Sequence, residues 1–271
     1  MNAEALRRLS AADPVMRRLI REYGPCTLVP EKRRPPFQSL VQAVAHQQLH
    51  GRAAETILHR FKQLFPGRRF PRPEDLASVS DAALRGAGFS RAKVAALRDI
   101  AAQTRAGVVP TARQIAGLSD EAIIARLTQV RGVGRWTVEM LLIFQLGRPD
   151  VLPADDFGVR NGFRLAYGLK GMPRPKALLK YAERWKPYRS AGAWYMWRAV
   201  DLHQAGQLPR REGRAPRIEC EAPREKPVKK AKGKHAKAVK PPARKKRATK
   251  RTAGPAATRT RAAKKRPARK R

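Results

Sequence analysis

From its first residues to about Gly213, the apolar residues of this 271-residue chain recur every three or four positions, and no segment alternates with the two-residue period of a half-buried strand. Polar caps, Gly and Pro punctuate the pattern. Asp13-Pro14 reads as an N-cap followed by proline in the first turn, opening a helix that ends near Gly24. PFQSLVQAVAHQQLH and GRAAETILHRFKQLF read as two helices broken near Gly51, the second stopped by Pro66-Gly67. Ser80, Ser90 and Ser119 read as further N-caps, and DFGVRNGFRLAYG, RPKALLKYAERW and SAGAWYMWRAVDLH close the series. This predicts nine or ten helices with short connections, an all-α domain over residues 1–212.

Beyond that the pattern collapses. Residues 213–271 are built from Lys, Arg, Ala and Pro, with Val228 and Val239 as the large apolar residues of the repetitive part. Such a segment cannot bury enough surface to offset ordering entropy, so it is expected to be disordered alone. The net charge of +39 is not confined to it: residues 1–222 hold 38 Lys and Arg against 20 acids. An extended polyanion is the expected partner, with salt-dependent affinity. An anionic membrane is the competing partner, disfavoured because no basic amphipathic helix in the tail carries large apolar residues. The tail reads as a non-specific DNA tether or as a solubilising extension. Two distant cysteines, Cys26 and Cys220, and a polar N-terminus without a signal-peptide core point to a reduced compartment, cytoplasmic and nucleoid-associated.

Chemistry concentrates in two segments. In LTQVRGVGRWT, residues 127–137, Gly132 and Gly134 flank Val133 in a tight turn between two helical stretches. Glycine tolerates positive φ and lacks Cβ, so such a turn can press backbone N–H groups against a phosphate at the mouth of the second helix. The amides of Gly132, Gly134, Arg135, Trp136 and Thr137 are the expected contacts; they grip a nucleic-acid backbone without reading sequence. About twenty residues on, LPADDFGVRNGF carries Asp155 and Asp156. An anion beside a gripped DNA backbone is costly unless it performs chemistry.

These segments, in this order with FQSLVQAVAHQQLHGRAA (residues 37–54) before them and WKPYRSAGAWYMW (residues 185–197) after, resemble the helix–hairpin–helix DNA glycosylase superfamily, and within it the DNA-3-methyladenine glycosylase II branch. The resemblance covers most of residues 1–210. It implies two helical subdomains with an active-site cleft between them, in the shorter, wholly helical form without an N-terminal β-rich domain. It implies a monomer acting on double-stranded DNA that contains alkylated bases. The four-cysteine iron–sulfur cluster of some relatives is excluded by a count of two cysteines.

The resemblance also assigns roles. Asp156 is the expected catalytic carboxylate, stabilising a cationic sugar and orienting water, while Asp155 is expected to cap the next helix. Trp136 occupies the position where bifunctional relatives place a lysine; indole cannot form a Schiff base, so the expected enzyme is monofunctional. Trp136 and Trp197 are the expected aromatic walls of a base pocket, attractive to cationic alkylpurines, or else core residues. Trp185, Trp194 and Tyr195 read as core. Gln48 is the expected plug for the gap left by an extruded base, Leu49 the alternative wedge, and His50 a groove or backbone contact. The carbonyls of Thr128, Val130 and Val133 match positions that hold a monovalent cation in family members; no other cofactor is expected. Two competing readings remain: a superfamily glycosylase for oxidised or mismatched bases, and a non-enzymatic DNA-compacting protein, which would not need Asp156.

Overall fold

The computed structural model describes residues 3–49, 51–209 and 215–221. The expectations for His50 and for most of the tail lie outside the described residues. Those residues are helical: α1 (Ala3–Ala12), α2 (Pro14–Tyr23), α3 (Pro36–His46), α4 (Gly51–Gln63), α5 (Asp75–Ser78), α6 (Asp81–Gly86), α7 (Arg91–Arg105), α8 (Ala112–Ala116), α9 (Asp120–Leu127) and α10 (Arg135–Leu141), which runs into a π-turn, Leu142–Leu146. Then come α11 (Phe157–Ala166), α12 (Pro175–Tyr181), a 3-10 turn (Ala182–Trp185) and α13 (Arg189–Gln204). The surplus over the expected number comes from α1, α5 and α8. The last is opened by a Thr111–Gln114 capping box, a signal the periodicity alone does not carry.

The caps explain where helices start. Asp13, Ser80, Ser90 and Ser119 each accept a backbone N–H from the first turn that follows. Packing divides the helices into two groups. In one, α1 and α2 join α11, α12 and α13; in the other, α3 stands at the centre, against α4, α7 and α10. Apolar faces of both groups merge into one core that includes Phe61, Leu97, Val138, Phe163 and Met196, all fully buried or nearly so. Trp185, Trp194 and Tyr195 are core, as expected.

The closest helix contact is α11 on α13. A Cβ on Gly162 would lie 1.8 Å from the carbonyl oxygen of Met196, so only glycine lets these backbones touch. That contact sets where the N-terminus of α11 meets the middle of α13.

Residues 215–221, which follow the boundary expected at residue 212, hydrogen-bond back to the helical domain. Pro173 and Cys220 form an isolated antiparallel bridge, Arg174 N donates to Glu219 O, and Arg160 pairs with Glu221. A short stretch of backbone hydrogen bonding needs no large apolar residue, which is why composition did not reveal it. No helix among the described residues is long and apolar enough to cross a membrane.

Candidate active site

The hairpin forms between α9 and α10. Gly132 takes φ 77°, and a Cβ there would also meet Ala96 Cβ at 2.8 Å. Gly134 stands at the N-cap of α10 without a side-chain cap. Among the described residues, the N–H groups of Gly132, Gly134, Arg135, Trp136 and Thr137 find no acceptor; Val133 N bonds Val130 O at 3.0 Å. The Arg135 side chain is engaged by Glu121 and Glu139. Burial pushes the Glu139 carboxyl up to about 7, with the Arg135 guanidinium pulling the other way.

One face of α7 braces this hairpin. Asp99 accepts Arg131 N at 2.7 Å, and Lys93 Nζ donates to Ala45 O and Gln47 O at 3.0 and 2.9 Å. Gln47 Nε2 in turn donates to Gly132 O at 2.9 Å. The 46–49 loop and the hairpin are thus one unit, held through Gln47 and Lys93, neither of which the sequence singled out. Beyond this joint, Gln48 and Leu49 are exposed, and among the described residues Gln48 is the non-glycine residue with positive φ, 57°. Backbone strain of this kind persists only where its surroundings enforce it.

Asp156 lies across from the hairpin. It, not Asp155, caps α11: the helix begins at Phe157, so the carboxylate one residue earlier reaches Val159 N, at 2.7 Å. Asp155 is exposed. Two indoles also donate to Asp156, Trp136 Nε1 to Oδ2 and Trp197 Nε1 to Oδ1, both at 2.8 Å. Gly158 makes room for the second: a Cβ there would sit 2.8 Å from Trp197 Cδ1. Sequence reading missed both glycines of α11, although their spacing of four places them on one helix face.

Beside this carboxylate opens a cavity of about 620 Å³, lined by Leu40, Ala43, Trp136, Met140, Phe144 and Gln145 among others. Trp136 is 42% exposed. Trp197 is not part of that lining; it stacks on Phe144, with ring centroids 5.5 Å apart and planes 29° apart. The second aromatic wall expected at Trp197 is therefore Phe144, displayed by the π-turn, with Trp197 supporting both the ring and Asp156. A larger cavity, about 880 Å³, lies between loops 30–35 and 67–72; Phe70 is in its lining, and the carboxylate there, Glu31, is paired with Arg34.

Of the hairpin carbonyls expected to meet a cation, those of Thr128 and Val133 accept no hydrogen bond among the described residues, and Val130 O accepts one.

Fold and site together define a helix–hairpin–helix protein whose hairpin faces an aspartate on a Gly/Pro-rich segment. Residues 41–187 match the HhH-GPD superfamily base excision DNA repair protein family, and the chain belongs to it. It is 43% identical over 197 residues to DNA-3-methyladenine glycosylase 1 of Schizosaccharomyces pombe, spanning 72% of this chain and 86% of that protein. Its fold matches the solved structure of the S. pombe 3-methyladenine DNA glycosylase in complex with abasic DNA, with a TM-score of 0.68 at 42% identity over 74% of this chain and 98% of that one. A DNA-3-methyladenine glycosidase structure from Bacillus halodurans gives a TM-score of 0.67 at 34% identity, over 75% and 92% of the two chains.

Proposed function

We propose that the protein is a monofunctional DNA glycosylase of the 3-methyladenine glycosylase II type, hydrolysing the N-glycosidic bond of alkylated purines in duplex DNA. The observation that carries this reading is Asp156, held by two indoles at the edge of an aromatic cavity and facing a hairpin of free amides. The relatives named as DNA-3-methyladenine glycosylases support it.

The hairpin amides of Gly132, Gly134, Arg135 and Thr137 grip phosphate beside the lesion. Val133, buried beneath them, fixes the turn. Carbonyls of Thr128, Val130 and Val133 are the groups that would hold a monovalent cation, which when bound adds positive charge next to that phosphate. The extruded base enters the cavity against Trp136 and Phe144, while Gln48 or Leu49 fills the gap in the stack. A cationic alkylpurine gains on an aromatic face about 1–2 kcal/mol once desolvated.

A carboxylate offers about four acceptor positions, and three N–H groups occupy Asp156. Oδ1 takes two of them and Oδ2 one, so Oδ2 keeps a lone pair for the reacting sugar. As the C1′–N bond breaks, its electrons leave with the purine. A cationic base departs neutral and needs no proton donor. Asp156 stabilises the positive C1′ and orients the water whose oxygen bonds to it; the water's proton passes to the carboxylate and on to solvent. Trp136 offers no amine, so the product is an abasic site in an uncut strand. The tail is proposed as a tether that holds the enzyme near DNA.

The test is release of bases from methylated duplex DNA by the wild type and by Asp156→Asn, with DNA affinity measured in parallel. Base release by the wild type alone, with affinity equal or higher in the variant, is the expected result. Loss of binding in the variant, or release by both, contradicts the assignment. Borohydride is expected to trap no covalent protein–DNA adduct.

A further inference from the structure

A strongly positive cleft adjoins the catalytic cavity. It is the concavity of about 880 Å³ between loops 30–35 and 67–72, and its lining sets six cations, Lys32, Arg33, Arg34, Arg68, Arg69 and Arg72, against one acid, Glu31. The acids at hand are already engaged. Glu31 pairs with Arg34, and Asp75, just after the second loop, pairs with Arg68. Lys32, Arg33, Arg69 and Arg72 are exposed, and among the described residues no acid pairs with any of them. Like charges gathered around one concavity repel one another, and a polyanion relieves that repulsion.

Both walls hold these charges in place. In the first loop, Glu31 N donates to Phe144 O at 2.9 Å, and Arg34 O accepts Gln145 Nε2 at 2.6 Å. In the second, Asp75 accepts Arg72 N at 2.8 Å, and the Phe70 ring packs on Phe37 and Phe61. The backbones are pinned while four charged heads stay free, which lowers the ordering cost of meeting an anionic partner.

The place of the cleft in the fold identifies its occupant. The 11 residues of α3 span about 16 Å. Its C-terminal end leads into the 46–49 loop beside the hairpin, and its N-terminal end follows loop 30–35. The catalytic cavity runs along α3 from His46 to Ser39 and meets the cleft at Glu31 and Arg34, which line both. A duplex seated on the hairpin therefore sends its extruded base toward the cleft, and the cleft lies at the far end of the pocket from that duplex. The chain's own tail carries the same sign of charge and is repelled. A concave cleft fits the raised phosphate ridge of a duplex, not the plane of an anionic membrane.

We propose that this cleft is a second DNA site, in which Lys32, Arg33, Arg69 and Arg72 take the phosphates of a separate duplex segment while the hairpin holds the first. The proposal goes beyond the glycosylase reading and shares with it the hairpin as the first DNA contact. Phosphate contacts read no sequence, so the second segment needs no lesion. Two such sites let the enzyme bridge neighbouring segments and pass between them without leaving DNA.

The experiment saturates an immobilised duplex containing an abasic site with the full chain and measures capture of a second, labelled, undamaged duplex across a salt series. It compares the wild type with a variant carrying Lys32→Ala, Arg33→Ala, Arg69→Ala and Arg72→Ala; the basic tail is present in both. Four phosphate contacts add about 3.6 to the slope of log affinity against log salt, so the variant is expected to capture more weakly, with a slope shallower by that amount. Single-turnover base release from saturating methylated duplex is expected to be equal in the two proteins. Equal capture slopes overturn the proposal. So does a slope change confined to the first duplex, which would place the cleft in the primary footprint. A companion variant with Lys32→Arg, Arg33→Lys, Arg69→Lys and Arg72→Lys keeps the charge and is expected to capture as the wild type does; loss of capture there overturns the electrostatic account. No capture by the wild type overturns the proposal without any variant. A wild type that captures the second duplex but releases no base leaves the cleft standing and overturns the glycosylase reading.

Discussion

Asp13 and Asp156 each stand one residue before a helix, cap it through Oδ1, and gather two aromatic donors. For Asp13 the donors are Tyr167 Oη and Trp185 Nε1, both to Oδ2, at 2.5 and 2.9 Å. With Val15 N and Met16 N on Oδ1, all four acceptor positions are filled, and the residue is 0% exposed. Burial, reinforced by the Asp13 carboxylate, pushes the Tyr167 phenol well up, so the phenol keeps its proton across the neutral range. Asp156 has three donors, partial exposure and a cavity at its side. The local chemistry is nearly the same. What separates a structural carboxylate from a reactive one is the acceptor position left open and the space in front of it.

One helix ties the two together: α11 carries Asp156 at its N-terminus and Tyr167 just past its last residue. Gly162→Ala, which drives a methyl group into the Met196 carbonyl, is expected to break both at once. A clash of backbone atoms at 1.8 Å cannot be relieved by a rotamer, and a loss of about 4 kcal/mol or failure to fold is the expected outcome, read by thermal unfolding. A stable Gly162→Ala protein would mean that α11 and α13 are not so closely packed.

Asp13→Asn separates them. The side chain keeps its shape, but its NH₂ must face donors, so stability is expected to fall by about 3 kcal/mol, while base release per folded molecule stays near wild type. A variant as stable as wild type would show the four-donor cluster to be dispensable.

Glu139 sharpens the comparison as a buried carboxylate without surplus donors. Its folded pKa, about 7, lies above its unfolded value, so the native state holds the extra proton between roughly pH 4.5 and 7. Stability from this group is greatest at low pH and is lost as pH rises through that window. Glu139→Gln is expected to remove this loss, flattening the pH dependence of unfolding by roughly 2–3 kcal/mol between pH 5 and 8. An unaltered profile would assign the slope to other groups. The smallest effect is expected from Gly158→Ala, which pushes Trp197 off Asp156: single-turnover release should slow about tenfold with binding kept, as one lost positioning hydrogen bond implies. A rate equal to wild type would leave Trp136 as the sufficient support.

The fold was largely legible because its caps are strong local signals: Asp13, Ser80, Ser90 and Ser119 act as N-caps where they were read. Asp156 and Trp136, singled out by their motif context, are brought together by the fold. Residues whose role depends on long-range approach were not legible. Gly158 and Gly162 look like ordinary helix glycines until α13 is laid against them. Phe144 and Gln145 reach the cavity through a π-turn that helical periodicity does not announce, and Lys93 and Gln47 join segments 46–85 residues apart. Asp155 was misassigned because the cap position depends on a helix start that shifts by one residue.

The most direct test sets Asp156→Asn beside Asp13→Asn in the full chain and measures, for each, thermal stability and single-turnover release of alkylated base. Asp156→Asn is expected to unfold within a few degrees of wild type and to lose about 10³-fold in rate, as removal of transition-state charge stabilisation implies; Asp13→Asn should do the reverse. Base release that survives in Asp156→Asn, or vanishes only because that variant no longer folds, contradicts the catalytic assignment of Asp156.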